Sequence, residues 1–384
     1  MPRIFPLCLF LFALALAACT EASTPTTEPA ATPTATLAIA QTCVDPAAFV
    51  TFVVNVHDTV HVDESAATIL HLADIFERHG VHGDFYLTGP MVQLYSEQHP
   101  EVIDRLKSSG MTISYHVRPP HPLYAGFDSQ LKRLSDSQLA QTLRDYETYG
   151  LDLRTGGLDR SRPGGYAAVA AALGTNPVTA AAPNGDQRIK DAALRNYAAM
   201  GAKMTILYHE TGTKPEKPFE YVDGLLVRPS DFSITRWPMP GTTSKGDKDP
   251  FWWNFMSSPH AAEYNPAAKL QAEMANWEYG RPAFVTSLIH ENNFYRSGAE
   301  AWTLSYFADT EKATPLSPPY DLNARDASKP RSQADQDAIW AAYEQLVATA
   351  AEQYRVVTSA DIVALAAASP AGQVASACAV LGPK

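Results

Sequence analysis

Histidine and aspartate residues stand where apolar runs of the sequence end. His57 and Asp58 follow one such run, His116 follows a second with His121 five residues later, and His290 closes a third. Imidazole and carboxylate groups are common ligands of catalytic metal ions, and both also act as general acids and bases. These residue types in these places predict a catalytic metal site.

The framework that must position these residues alternates between apolar strands and amphipathic helices. The sequence predicts strands at 48–56, 82–89, 111–117, 202–210, 221–229, 282–290 and 355–359, and helices at 65–80, 90–110, 135–150, 188–201 and 333–354. Alternating strands and helices favour parallel βαβ units in a barrel or an open α/β sheet. In such folds functional residues gather at the carboxyl ends of the strands, which is where the histidines are expected.

The amino terminus has the features of an export signal. Arg3 precedes an apolar run that is too short to span a bilayer comfortably and that ends in small residues. The end of the run, LAAC, resembles a bacterial lipobox, which implies cleavage after a signal peptide at 1–18 and a lipid on Cys19; an ordinary signal peptide is the alternative. Residues 19–40 are rich in Thr and Pro and predict a tether, so the catalytic domain is expected at 41–384.

The cysteines agree with an exported protein. Cys8 lies in the signal peptide and Cys19 takes the lipid, which leaves Cys43 and Cys378 at the two edges of the folded region. In an oxidising compartment these two residues are expected to form a disulfide. Two unpaired buried thiols are the alternative.

The charge of the chain limits its partners. The formal net charge is −11, and the sequence has no basic stripe. Nucleic acid is therefore not an expected partner, and contact with a membrane is expected through the lipid anchor only. The predicted location is the bacterial cell envelope.

The order of these motifs resembles a known family. Asp58 at the first strand, the pair His116 and His121 after the third, the Arg162-Pro dipeptide and the late strand ending in His290 are similar to the polysaccharide deacetylases of the NodB-homology type, carbohydrate esterase family 4. The segment HGDFYLTG resembles the second-strand motif ATFF-x-x-G of that family, and RVVTSADIVALAA resembles its last strand and helix. The resemblance spans roughly residues 48–367.

The resemblance implies a fold, an activity and a role for each matching residue. The family is a distorted (β/α) barrel, and its members are metal-dependent hydrolases that remove acetyl groups from N-acetylated sugars by cleaving a carbon–nitrogen bond. Carried over, Asp58, His116 and His121 are the metal ligands. Arg162 orients the catalytic base and His290 is the general acid. For an Asp-His-His set the first expectation is zinc among the divalent ions.

The first family motif differs here in a way that leaves its chemistry open. It usually reads T-F-D-D-G with the first Asp as base, whereas this chain reads NVHDT, so that His57 occupies the position of the base. Near neutral pH a neutral His can take a proton from water. Alternatively His57 is itself a ligand and the base is Glu291 or Asp231, or the site is inactive. The spacing of the paired histidines also differs, because four residues separate them where the family has three.

A long segment at 233–264 carries a cluster of aromatic residues that includes Trp252 and Trp253. Near the site, these two residues would offer flat surfaces on which sugar rings stack. The alternative is that they cap the barrel. Long loops in compact domains are often functional, which keeps the substrate-binding hypothesis open.

Two functions from different classes follow from the sequence. The first is a lipid-anchored, metal-dependent deacetylase that acts on a polysaccharide at the cell surface. The second is an inactive carbohydrate-binding lipoprotein on a deacetylase scaffold. The joint presence of Asp58, His116, His121, Arg162 and His290 favours the enzyme.

Overall fold

The computed structural model describes residues 43–119, 121, 123–124, 130–183, 185–206, 217–234 and 265–384. The expected signal peptide, Cys19, the tether, Trp252 and Trp253 lie outside the described residues. Within the described ranges, no helix combines the length and the apolar character needed to cross a membrane.

Strands and helices alternate along the chain as the sequence predicts. The strands are β1 (Ala48–Val56), β2 (Asp84–Leu87), β3 (Thr112–Tyr115), β4 (Tyr149–Leu151), β5 (Leu158–Pro163), β6 (Met204–Thr205), β7 (Glu220–Val222), β8 (Leu225–Val227), β9 (Phe232–Ser233), β10 (Ala283–His290), β11 (Arg296–Gly298), β12 (Ser328–Pro330) and β13 (Arg355–Val356). The helices are α1 (Val62–Arg78), α2 (Gly89–Gln98), α3 (Pro100–Ser108), α4 (Asp136–Thr148), α5 (Gly165–Leu173), α6 (Gln187–Met200), α7 (Pro266–Ala275), α8 (Thr303–Tyr306), α9 (Gln333–Gln353), α10 (Ser359–Ala368) and α11 (Ala377–Leu381).

Two predicted elements are each divided in the structure. The helix expected at 90–110 is two helices, because Pro100 has no backbone N–H to continue α2 and instead begins α3. The strand expected at 221–229 is a hairpin of β7 and β8. Its turn contains Asp223 at φ 46° and Gly224 at φ 84°, and these left-handed conformations reverse the chain.

The strands form a distorted (β/α) barrel, which confirms the predicted fold class. The central parallel sheet has the order β3-β2-β1-β10-β9, and β13 also pairs with β1. Parallel bridges from Tyr115 to Ala180 and from Thr179 to Met204 extend the series from β3 to β6, which pairs in parallel with β8. The parallel neighbours thus run from β9 through β10, β1, β2, β3 and β6 to β8. Residues 228–231 connect β8 directly to β9.

Strand β1 is buried on both faces, so its side chains alternate between two apolar environments. Val50, Phe52 and Val54 point outward and belong to the core between the barrel and its helices. Phe49 and Val53 point inward and belong to separate clusters inside the barrel.

The two ends of the described chain are fastened together. Cys43 and Cys378 form a disulfide, with their Cα atoms 5.7 Å apart. Beside it, Asp45 Oδ1 accepts hydrogen bonds from Ser376 Oγ at 2.9 Å and from the backbone N–H of Cys378 at 3.2 Å. The first strand of the barrel and helix α11 are therefore linked at one place.

We expect the disulfide to contribute to stability, because it closes a loop of 335 residues in the unfolded chain. Replacing both Cys43 and Cys378 with Ser should lower the free energy of unfolding by about 2–5 kcal/mol. Denaturation of the oxidised protein and of the double variant measures this difference. Wild-type protein under reducing conditions is the control and should match the variant, whereas equal stability of all three samples would contradict the prediction.

Candidate functional site

Three histidines meet inside the mouth of the barrel. His57 follows β1, His116 follows β3 and His290 is the last residue of β10. His57 Nε2 lies 2.9 Å from His290 Nδ1, and the centroid of the His57 ring lies 6.2 Å from that of His116. Three strands whose carboxyl ends share one edge thus bring together residues far apart in the sequence.

Both ring nitrogens of His57 have a neighbour. The indole Nε1 of Trp302 lies 3.4 Å from His57 Nδ1, and His57 Nε2 faces His290 Nδ1. A metal ion held by these two rings would replace the hydrogen bond between them.

Glu300 completes a group that could hold a divalent metal ion. One ligand atom each from His57, His290 and Glu300 lies within 4.8 Å of the others. Glu300 also forms an ion pair with Lys312, whose Nζ lies 4.8 Å from the centroid of the Trp302 ring. A carboxylate with two imidazoles is a common donor set for catalytic metals.

The surroundings keep these groups in the protonation states that bind metal. Burial lowers the pKa of His57 well below its usual value, and burial together with the Arg118 charge lowers that of His290 to about 3. Burial alone would raise the pKa of Glu300, but Lys312, His57 and Arg118 lower it below its usual range. Neutral imidazoles and an ionised carboxylate are the ligand forms that a metal requires.

The carboxylate of Asp58 is surrounded by protein groups other than the three histidines. Its Oδ1 accepts the backbone N–H groups of Val60 at 3.1 Å and His61 at 3.2 Å. Its Oδ2 accepts the Tyr295 hydroxyl at 3.0 Å and lies 3.0 Å from His61 Nδ1. This carboxylate raises the pKa of His61 by hydrogen bonding and is engaged at both oxygens by protein groups.

His121 is also held away from the other histidines. Its Nδ1 accepts the backbone N–H of Leu123 at 3.2 Å, and its Nε2 lies 3.3 Å from Oε1 of the buried Glu147 on α4. Glu147 Oε1 also accepts the Tyr197 hydroxyl at 2.9 Å. The side chain of His121 is therefore tied to the helical layer.

The structure consequently does not assemble the predicted ligand set of Asp58, His116 and His121. Among the described residues, the ligand atoms that converge are those of His57, His290 and Glu300. The physical reason is that Val60, His61 and Tyr295 engage both oxygens of Asp58, whereas His57 lies beside His290.

The hydrogen bonds of Arg162 in the described part of the chain go to residues other than His57. Its Nε donates to Asp159 Oδ2 at 3.0 Å, and Nη1 donates to Gln93 Oε1 at 3.3 Å. Its Nη2 donates to the carbonyl of Leu151 at 2.9 Å, which fastens β5 to β4. These contacts place Arg162 in the wall of a groove and not beside a catalytic base.

Of the two alternative bases, Asp231 has a structural role. It accepts two hydrogen bonds from the guanidinium of Arg281, at 2.8 and 2.7 Å, and a third from the backbone N–H of Phe284 at 2.7 Å. The carboxylate is buried. This ion pair connects the residue before β9 to the start of β10.

Glu291 positions the end of β1. Its Oε1 accepts the backbone N–H groups of both His57 and Asp58, each at 2.6 Å. Burial and the neighbouring Asp58 carboxylate raise the pKa of Glu291 to about 8. The residue therefore fixes the backbone from which His57 points inward.

A groove of about 470 Å³ adjoins His57 through Trp302, which lines it. His121, residues of α2 and of the β4–β5 hairpin, Tyr306 and Leu322 also line it. This volume is in the range of about 300–1,000 Å³ typical of small-molecule sites.

The sequence interpretation missed several residues of this site. Arg118 could have been found, because it lies two residues after His116 and a strand places such residues on one face. Glu300, Trp302 and Lys312 come from the irregular segment after β11, and no spacing or motif distinguishes them in the sequence.

Comparisons with known proteins give similarities at low identity. No protein-family model matches the sequence, and no curated protein matches it significantly. A candidate polysaccharide deacetylase from Mycobacterium smegmatis is 12% identical with a TM-score of 0.44, covering 83% of this chain and 90% of that chain. Peptidoglycan deacetylase PdaC from Bacillus subtilis is 13% identical with a TM-score of 0.34, covering 82% and 89%. A CE4 family pseudoenzyme from Bacillus anthracis is 12% identical with a TM-score of 0.34, covering 82% and 65%. Likenesses of this extent carry no argument about the chemistry of the site.

We expect the role of Glu291 to appear in a pair of variants. Glu291→Ala leaves two buried N–H donors without an acceptor, at about 1–3 kcal/mol each, and should lower the free energy of unfolding by about 2–6 kcal/mol. Glu291→Gln keeps an acceptor oxygen, so its decrease in the free energy of unfolding should be less than half of that in Glu291→Ala. Chemical denaturation measures both values, and equal losses in the two variants would contradict the positioning role.

Proposed function

We propose that the protein is a metal-dependent hydrolase that removes acetyl groups from an N-acetylated polysaccharide at the cell surface. The observation that carries the proposal is the convergence of His57, His290 and Glu300 inside the barrel mouth, with His116 nearby and a groove beside them. The order of the sequence motifs supports the same reaction, since it resembles that of the polysaccharide deacetylases.

The residues that would hold the metal in this proposal are His57, His290 and Glu300. This assignment agrees with the second sequence alternative, in which His57 is a ligand and not the base. Zinc is the expected ion, because two imidazoles and one carboxylate leave a fourth position open. A bound divalent ion supplies a Lewis acid that polarises a carbonyl and makes water a better nucleophile.

His116 is the proposed base in place of His57. Burial lowers its pKa well below the usual value, and the Arg118 charge lowers it further, so the ring is neutral, which is the form that a base requires. The ring centroid lies 6.2 Å from that of His57, beside the proposed ligands. His116 would then return the proton to the departing amine, the role first expected of His290.

Arg118 is the proposed partner of the negative charge that develops on the acetyl oxygen. Its guanidinium is buried, and after burial its charge is a further cause of the lowered pKa values of His57, His116 and His290. A fixed positive charge in a buried site stabilises a developing oxyanion with little reorganisation.

Export to the cell envelope belongs to the same proposal. The disulfide between Cys43 and Cys378 supports folding in an oxidising compartment. The lipobox-like sequence ending in Cys19 and the following Thr/Pro-rich stretch support a lipid anchor and a tether, which would hold the catalytic domain near an envelope polysaccharide.

Metal content tests the proposed ligand set. The purified full chain should contain about one zinc or similar divalent ion per molecule by elemental mass spectrometry. Glu300→Gln should lower the affinity for this ion at least about tenfold, because it removes an ionised ligand. The matched control is Glu311→Gln, since Glu311 is an exposed carboxylate of the same segment and should leave metal binding unchanged.

A second comparison separates the two possible ligand sets. Asp58→Asn should retain the metal if His57, His290 and Glu300 bind it, and should lose it if Asp58, His116 and His121 do. Absence of metal from the wild-type chain after incubation with divalent ions would contradict both sets and favour the inactive carbohydrate-binding protein.

Acetate release tests the activity itself. The metal-loaded protein should release acetate from an N-acetylated glycan, and His116→Ala should reduce the rate by at least about 100-fold through loss of the base. The melting temperature and metal content of the variant serve as controls and should stay near the wild-type values. Undiminished turnover in His116→Ala would exclude this histidine as the base.

A further inference from the structure

The groove beside the histidines is lined mainly by apolar and aromatic side chains. Leu151, Leu153 and Leu158 come from the β4–β5 hairpin, and Tyr149, Tyr306 and Leu322 add to the same surface. A site that binds only sugar hydroxyl groups needs many hydrogen-bonding side chains, whereas leucine side chains offer none. The side chains that line the groove therefore indicate that the portion of the bound molecule in contact with them is apolar.

Exposure at the rim supports this interpretation. Leu322 is 55% exposed and Val60 is 46% exposed, and both border the groove. Only five large hydrophobic side chains are this exposed within the described ranges, so two of them at one groove form a local apolar rim. Clustered exposed apolar surface of this kind marks binding sites.

The charges of the groove favour an uncharged occupant. Among the described lining residues, the ionisable side chains other than tyrosines are Glu97, His121 and Arg162. Arg162 is paired with Asp159, and His121 with Glu147. The groove therefore offers no strong positive surface to a phosphate or carboxylate group.

The groove adjoins the proposed reacting centre through one side chain. Trp302 lines the groove and contacts His57. A substrate whose acetyl group lies at His57 would therefore place its neighbouring substituent against Trp302 and in the groove.

We propose that the substrate is an N-acetylated amino sugar bearing an uncharged apolar substituent, such as an alkyl chain or an aryl ring, next to the reacting unit. The groove binds this substituent while the histidine cluster acts on the acetyl group. This inference rests on the proposed deacetylase function and adds the class of substrate to it.

The test compares two glycosides of N-acetylglucosamine that differ only in their aglycone. With the metal-loaded full chain, the octyl glycoside, used below its micelle concentration, should show a kcat/KM for acetate release at least about tenfold above that of the methyl glycoside. Leu322→Gln should remove most of this difference, by lowering kcat/KM for the octyl glycoside toward the value for the methyl glycoside. The matched control is Tyr221→Gln, an exposed apolar residue that does not line the groove and should change neither value.

Calorimetric binding of the same two glycosides makes the result independent of turnover. Tighter binding of the octyl glycoside with a negative heat-capacity change, weakened in Leu322→Gln, supports the inference even if no acetate is released, in which case the proposed deacetylase function fails alone. Equal binding and equal turnover of the two glycosides would overturn the inference and leave the deacetylase function standing. An octyl preference that Leu322→Gln leaves unchanged would also overturn it, because the apolar group would then bind elsewhere.

Discussion

The alternation of side chains along β1 is the constraint on which the site depends. Every residue of this strand is buried, so both of its faces pack against other parts of the protein and its register cannot shift by one residue without reversing them. Directly after the strand, Glu291 Oε1 holds the backbone N–H groups of His57 and Asp58, and their side chains lie beside His290 and Tyr295 respectively. The parallel pairing of β1 with β10, in which Asn55 lies opposite His290, brings the second histidine beside the first.

Two networks of opposite character lie at the end of β1. Outside the wall, the carboxylates of Asp58 and Glu291 receive backbone N–H groups, and Tyr295 donates to Asp58. Inside the wall, buried imidazoles meet the positive charge of Arg118. The outer network satisfies its acidic groups within the protein and so acts as a support. The inner network keeps neutral nitrogen ligands next to one ionised carboxylate, and this is the arrangement able to do chemistry.

The sequence was sufficient for the fold and for part of the site. The buried run at 48–56 and the amphipathic pattern of the first helix predict local structure because burial and periodicity are local properties. His57, His116 and His290 were found for the same reason, since each follows a recognisable strand. The proposed metal ligands were not predictable in this way. The choice between Asp58 and Glu300 depends on which carboxylate lies beside the histidines in the mouth of the barrel. Glu300 reaches that interior from an irregular segment, whose path is determined by tertiary packing and not by any period in the sequence.

That irregular segment couples the reacting centre to the groove. Glu300 belongs to the histidine cluster, Trp302 contacts both His57 and the groove, and Tyr306 and Leu322 line the groove farther out. Packing between Trp302 and Tyr306, with ring centroids 6.2 Å apart, joins the two regions physically. A shift of the backbone at Trp302 would therefore move a proposed metal ligand, Glu300, together with part of the binding surface. The barrel strands, by contrast, position the histidines independently of the residues that line the groove. Substrate specificity can therefore vary through changes in the segment 296–330, provided that these changes leave the position of Glu300 unaltered.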